Sequence, residues 1–150
     1  MTCWQKMKTI GYLSFLLILL MSFGCSGSAS KEELKETISA FSASIDSANR
    51  ATAVINNGKA FSIMGPEESD KMIGFYKEAL NHAHEVDYEL LNQSYNGLGN
   101  HFENKFVAGI ELILSAHETL DKEKALKGQN LLNQWGVWFQ ENYSQITENK

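Results

Sequence analysis

The stretch "LKETISAFSASIDSANRATAVI", residues 34–55, decides which architecture the rest of the chain can have. Leu34, Ile38, Phe41, Ile45, Ala48, Thr52 and Ile55 recur in steps of four and three, with polar residues between them. At ~3.6 residues per turn, those steps keep one seam on one side of a helix, the spacing of helices packed at shallow angles. Ser30 stands where an N-cap is needed, and Glu33 completes a capping box. Asn56-Asn57-Gly58 reads as the stop. A single amphipathic helix cannot bury its own seam, so partners are expected further along the chain.

Those partners are visible. Between Lys59 and Gly65 the pattern lapses, although Phe61, Ile63 and Met64 are apolar enough to fold over the end of a bundle. Gly65-Pro66-Glu67-Glu68 then restarts a helix, with proline at the first position and acids at the positive end of the dipole. Met72, Tyr76, Ala79, Ala83, Val86 and Leu90 predict a second seam, and the Asn- and Gly-rich residues 92–100 a connection. Phe106, Ile110, Ile113, His117 and Leu120 predict a third seam. Leu131, Leu132, Trp135, Trp138, Phe139 and Ile146 predict a fourth. Between the last two, Asp121 caps a new helix, or one helix runs on to a break at Gly128.

Four amphipathic segments with short loops predict an all-α fold, an antiparallel four-helix bundle over residues 31–150. The composition agrees: 43% apolar, 21% charged and one proline in 150 residues. A formal charge of −5 lacks the basic footprint of a nucleic-acid binder. Both cysteines, Cys3 and Cys25, precede the first helix, which excludes a disulfide framework and a thiolate metal site in the body.

Ahead of the bundle, Lys6 and Lys8 precede an apolar run from Ile10 to Gly24. As a helix it would rise ~22 Å, less than the ~30 Å a spanning segment must cross. A charged start, a short apolar centre and a small residue at the end read as a secretory signal. With Ser22-Phe23-Gly24-Cys25 at its end, the segment resembles a bacterial lipoprotein signal peptide, although Ser22 stands where leucine is commonest. The resemblance implies that residues 1–24 are removed and that Cys25 becomes the acylated first residue. Residues 25–30 are then a lipid-anchored, serine-rich tether. Two acyl chains suffice to hold a protein at a membrane, where one is marginal. Ser26 rather than Asp beside the cysteine resembles lipoproteins sorted to the outer membrane of enteric-type bacteria. Met7-Lys8-Thr9-Ile10 would itself begin a well-formed signal, so translation starts at Met1 or Met7. The chain from Cys25 onward holds 11 basic residues against 18 acidic ones, a net of −7.

Chemistry-bearing residues are few. His117 falls on the third seam with Asp121 one turn on, and Asp87 and Glu103 project near their own apolar stripes. A histidine facing carboxylates suits an acid/base or metal site, or a structural pair that fixes helix register. Glu78, His82, Glu85 and Glu89 share a helix flank, more in keeping with a solvated face than with a cation site. No Glu-x-x-His, haem-attachment, phosphate-loop, Gly-x-Ser-x-Gly or His-Glu-x-x-His pattern occurs. Trp135, Trp138 and Phe139 fit one helical face and Val137 points away from it. Aromatics so spaced are core residues, or anchors of a partner groove or ligand pocket. The expectation is a non-catalytic binding or accessory lipoprotein of the cell envelope, without a cofactor or metal. It would be anchored in the cell or outer membrane through Cys25, facing the periplasm or exterior, and would engage another envelope component. The alternative is a small-molecule or metal-binding bundle that uses the space between the small-residue seams and the tryptophans.

Overall fold

A computed structural model describes residues 31–56 and 65–148. The expectations for the signal segment, Cys25, the Ser30 cap, the Asn57-Gly58 stop and the apolar residues 61–64 lie outside them. The described residues form five helices and no strand, an all-α fold. They are α1 (Lys31–Asn56), α2 (Pro66–Ala83), α3 (Tyr88–Ser94), α4 (98–119) and α5 (Lys122–Glu148). Within α4, two α-helical parts, Leu98–His101 and Ala108–Thr119, flank a π-helical turn at Phe102–Val107.

α1 and α2 run antiparallel and close together because their facing residues are small. Ala48, Ala51, Ala79 and Ala83 are buried there, and the Ser44 hydroxyl donates to the Ala79 carbonyl at 2.7 Å. At the edge of this pair Arg50 donates to both oxygens of Glu78, at 3.1 and 3.2 Å, and lies 4.1 Å over the Phe75 ring. α4 and α5 cross closely where Gly109 meets Gly128. A Cβ on Gly128 would stand 2.6 Å from the Gly109 oxygen. The remaining gap is filled by large rings. Phe41 of α1 packs against Phe102 of α4 with centroids 4.8 Å apart, and Trp135 of α5 lies 5.7 Å from Phe102. Edge-on contacts of this kind are the favoured geometry for buried aromatics.

Three expectations about the course of the helices need correction, and on the first seam Thr52 is exposed, the inward position falling to Ala51. The second seam does not carry one helix to Leu90. α2 ends at Ala83, whose carbonyl accepts from the Tyr88 hydroxyl at 3.0 Å, and Asp87 caps α3 by accepting from the Leu90 amide at 2.9 Å. Residues 92–100 are not simply a connection. α3 continues to Ser94, the turn occupies 95–97, and α4 begins at Leu98. His117 and Leu120 are not on the third seam. From Ile113 the inward step is to Ala116, 3% exposed, which turns His117 out to the surface. Leu120 leaves the helix altogether, with φ 54° and 86% exposure. Asp121 does cap α5, accepting from the Lys124 amide at 3.0 Å, so α4 does not run on to Gly128, which lies inside α5.

Candidate interaction surface

The polar residues expected near the apolar seams are dispersed. Asp87 is exposed and committed to its cap, and Glu103 is exposed on the π turn. Glu103 and Glu111 border the Tyr88 phenol, whose pKa burial raises first and these two carboxylates raise further. His117 Nε2 lies 3.2 Å from the Ser69 hydroxyl, a solvent-exposed link between the last turn of α4 and the first turn of α2. Asp121 is occupied at the start of α5. These four residues do not meet in one site. On the α2 flank, Glu78 pairs with Arg50, His82 Nδ1 stands 3.9 Å from Glu85, and Glu89 accepts from Gln93 at 3.5 Å. Among the described residues no group of three His, Cys, Asp or Glu side chains is placed to hold a metal ion.

The tryptophans separate into two roles. Trp135 is buried, 6% exposed, at the centre of the ring cluster. Trp138 is half-buried and stacks on His101 of α4, centroids 3.9 Å apart and planes 14° from parallel. Gly97, at φ 74°, turns the chain just under this stack, where a Cβ would lie 3.7 Å from the imidazole. Burial lowers the His101 pKa from its ordinary 6.5, and the Lys105 ammonium lowers it further. Lys105 in turn donates to Gln134 of α5 at 2.9 Å. His101 escaped sequence reasoning because its partner lies on another helix and no local spacing announces the contact.

An apolar cleft bordered by Ile38, Leu91, Leu98, Phe139 and Ile146 encloses about 10 Å³. That is roughly the room one water requires, and an apolar lining offers water no partner. Between α1 and α2 the buried small residues Ala48, Ala51, Ala79 and Ala83 let the two helices pack closely.

The outward face of α5 differs from the other helix surfaces among the described residues. Residues 128–140 include no charged side chain. Exposed Gln129, Asn130, Asn133, Gln134, Gly136 and Gln140 surround Val137, itself 57% exposed, and Leu126 beyond them is 67% exposed. The exposed faces of the other long helices are charged: Glu32, Lys35, Glu36 and Asp46 on α1, Glu67, Asp70, Lys71 and Lys77 on α2, Glu103, Glu111 and Glu118 on α4. Depletion of charge around exposed apolar residues is a mark of interface cores. Val137 was legible as outward-pointing from its helical phase alone; the amide-rich neutrality around it is equally plain in sequence but only the fold shows it on one exposed strip.

Comparisons with family models, with curated proteins and with solved structures find no match to this chain. Among the described residues no helix is long and apolar enough to cross a membrane.

Proposed function

We propose that this chain is a lipid-anchored, non-catalytic binding or accessory protein of a bacterial cell envelope. In this reading its long helices α1, α2, α4 and α5 form an antiparallel four-helix bundle, tethered through Cys25 and engaging another envelope component with the outer face of α5. The location rests on sequence: the apolar run, the Ser22-Phe23-Gly24-Cys25 boundary and the small-residue stretch after it. The binding role is carried by one observation, the uncharged and exposed α5 strip on a body whose net charge from Cys25 onward is −7. A body so acidic gains nothing by electrostatic attraction to anionic membrane surfaces, so the anchor must be the lipid.

The location is tested by expressing the full chain in a bacterial host and weighing it from the membrane fraction. The expected species begins at Cys25 and carries added acyl mass, and a Cys25→Ala chain shifts to the soluble fraction or retains its leader. An unmodified cysteine, or residues 1–24 intact on the wild-type chain, would refute it.

A further inference from the structure

The geometry points to Asn96 as a site of spontaneous covalent modification, where the side-chain amide is lost through a ring closed by the Gly97 nitrogen. The site is independent of the binding role proposed for α5. Asn96 and Gly97 lie in the turn between α3 and α4, outside both helices. The Leu98 amide closes that turn by donating to the Tyr95 carbonyl at 2.9 Å, and Gly97 sits at φ 74°, ψ 0°. Asn96 is exposed, and among the described residues no hydrogen bond holds its carboxamide. Nor does the Gly97 amide donate to another described backbone carbonyl. Every other described asparagine lies within a helix and precedes a residue with a side chain. Several of those are also tied down. Asn92 accepts from the Asn100 amide at 2.9 Å, Asn104 donates to the Asn100 carbonyl at 2.9 Å, and Asn142 donates to the Trp138 carbonyl at 2.8 Å.

The reaction needs an uncommitted amide nitrogen, a carboxamide carbon within its reach and little bulk on the following residue. In a helix the amide is committed to a carbonyl four residues back, and the backbone cannot rotate to present it. At Asn96 neither restraint applies. Turning the peptide between Asn96 and Gly97 brings the nitrogen towards Cγ, and glycine accepts φ on either side of zero as the peptide turns. The Gly97 N–H gives up its proton and the nitrogen bonds to Asn96 Cγ. The Cγ–Nδ2 bond breaks, Nδ2 leaves as ammonia after taking up a proton, and a cyclic imide remains. Water then adds at either carbonyl of the imide. Opening at Cγ restores the ordinary main chain with aspartate in place of Asn96. Opening at the main-chain carbonyl leaves isoaspartate, whose main chain runs through the side-chain carbons and is longer by a methylene. Water enters, ammonia leaves, and nothing is oxidised or reduced. Either product places a carboxylate just before the first turn of α4, where the helix dipole favours it. The isoaspartyl form also displaces Gly97 beneath the His101–Trp138 stack, where even an added Cβ would stand 3.7 Å from the imidazole and 4.0 Å from the Trp138 ring. The modification thus ages the joint between α4 and α5.

The test holds the full chain folded in mild detergent at mildly alkaline and at mildly acidic pH and samples both over time. Tryptic digestion places Asn96 in peptide 78–105 with four helical asparagines, apart from Asn57-Gly58 in peptide 51–59. Fragmentation of the first peptide by mass spectrometry reads each asparagine separately, and a zero-time sample digested alongside corrects for reaction during digestion. Asn96 is expected to exchange amide for acid at least ~10-fold faster than any of the four, because helical positions react only after local unfolding. Isoaspartate should accompany aspartate, since only the imide yields both. The rate should fall at acidic pH, because the attacking nitrogen must lose its proton, and Asn96→Gln should abolish the fast reaction of the peptide. A rate at Asn96 no greater than at the helical asparagines would overturn the proposal, as would aspartate without isoaspartate or a rate that does not fall in acid. The decisive comparison lies within one peptide of the wild-type chain, so it stands whether or not the variant folds.

Discussion

A methyl group on Gly128 would sit 2.6 Å from the Gly109 carbonyl oxygen and 2.8 Å from Ile113 Cγ1. Backbone cannot yield cheaply, so Gly128→Ala must push α4 and α5 apart. Overpacking costs ~1–3 kcal/mol and outweighs the ~1 kcal/mol that alanine gains over glycine in helix propensity. Gly136 lies two turns further along the same helix, where an added methyl would meet nothing within 4 Å. There Gly136→Ala is expected to stabilise by ~0.5–1 kcal/mol. Urea denaturation of the two variants, with slopes equal to wild type, should show midpoints displaced in opposite directions. A shared direction would contradict the close crossing of Gly109 and Gly128. The sequence shows both glycines in equivalent settings inside an amphipathic pattern; which of them is a contact depends on the opposing helix, and local spacing cannot carry that.

At the scale of elements, the informative places are where helices stop. Leu120 ends α4 in the left-handed region, a conformation costing an L-residue ~1–2 kcal/mol, and its side chain is 86% exposed. Leu120→Gly should therefore stabilise the protein by up to ~1 kcal/mol, because little burial is lost and the strain is relieved. At the next position Asp121→Ala removes the α5 cap and should destabilise by ~0.5–2 kcal/mol. Opposite shifts in melting temperature from adjacent residues would establish this turn; a destabilising Leu120→Gly would contradict it. Two helix starts were legible, the proline at the head of α2 and, as one of two alternatives, the aspartate at the head of α5, since each acts on the first turn that follows it. The stop at Ala83 was not. Val86 stays buried after the helix has ended, so the apolar rhythm runs on through the turn and conceals it. The π turn was hidden for a related reason: it buries both Phe106 and Val107, and an α-helical template keeps only one of two neighbours inside. The same limit misplaced His117, because after Ile113 the inward position passes to Ala116.

For the whole molecule, stability should fall off on both sides of neutrality, by different groups. Burial raises the phenol pKa values of Tyr76, Tyr88 and Tyr95 above the ordinary 10.0. Each phenol then loses its proton sooner in the unfolded chain than in the folded one. Their contribution is complete below pH 10.0 and is lost as the pH climbs through the raised folded values. His101 works in the other direction. Its folded pKa is lowered from 6.5, so its contribution is present above that value and is lost as the pH falls through the lowered one. Melting temperatures recorded from about pH 7 down to about pH 5, the span in which histidine titrates, should decline for the wild-type chain and decline less for His101→Gln. Equal slopes would show that the stack on Trp138 carries no linkage to protons.

The residues that open and close the described body share one pole: Ile38, near the start of α1, and Ile146, near the end of α5, border the same cleft, whereas the Leu120 turn stands at the opposite pole beside the Ser69–His117 link. The order in which the helices are strung is thus separable from the way they pack. A circular permutant joined across the first pole and opened between Leu120 and Asp121 would keep every ring contact, the glycine crossing and the α5 cap. On the lipoprotein reading proposed above, the anchor point of such a chain would move to the other pole, and the outer face of α5 would be presented upside down relative to the membrane.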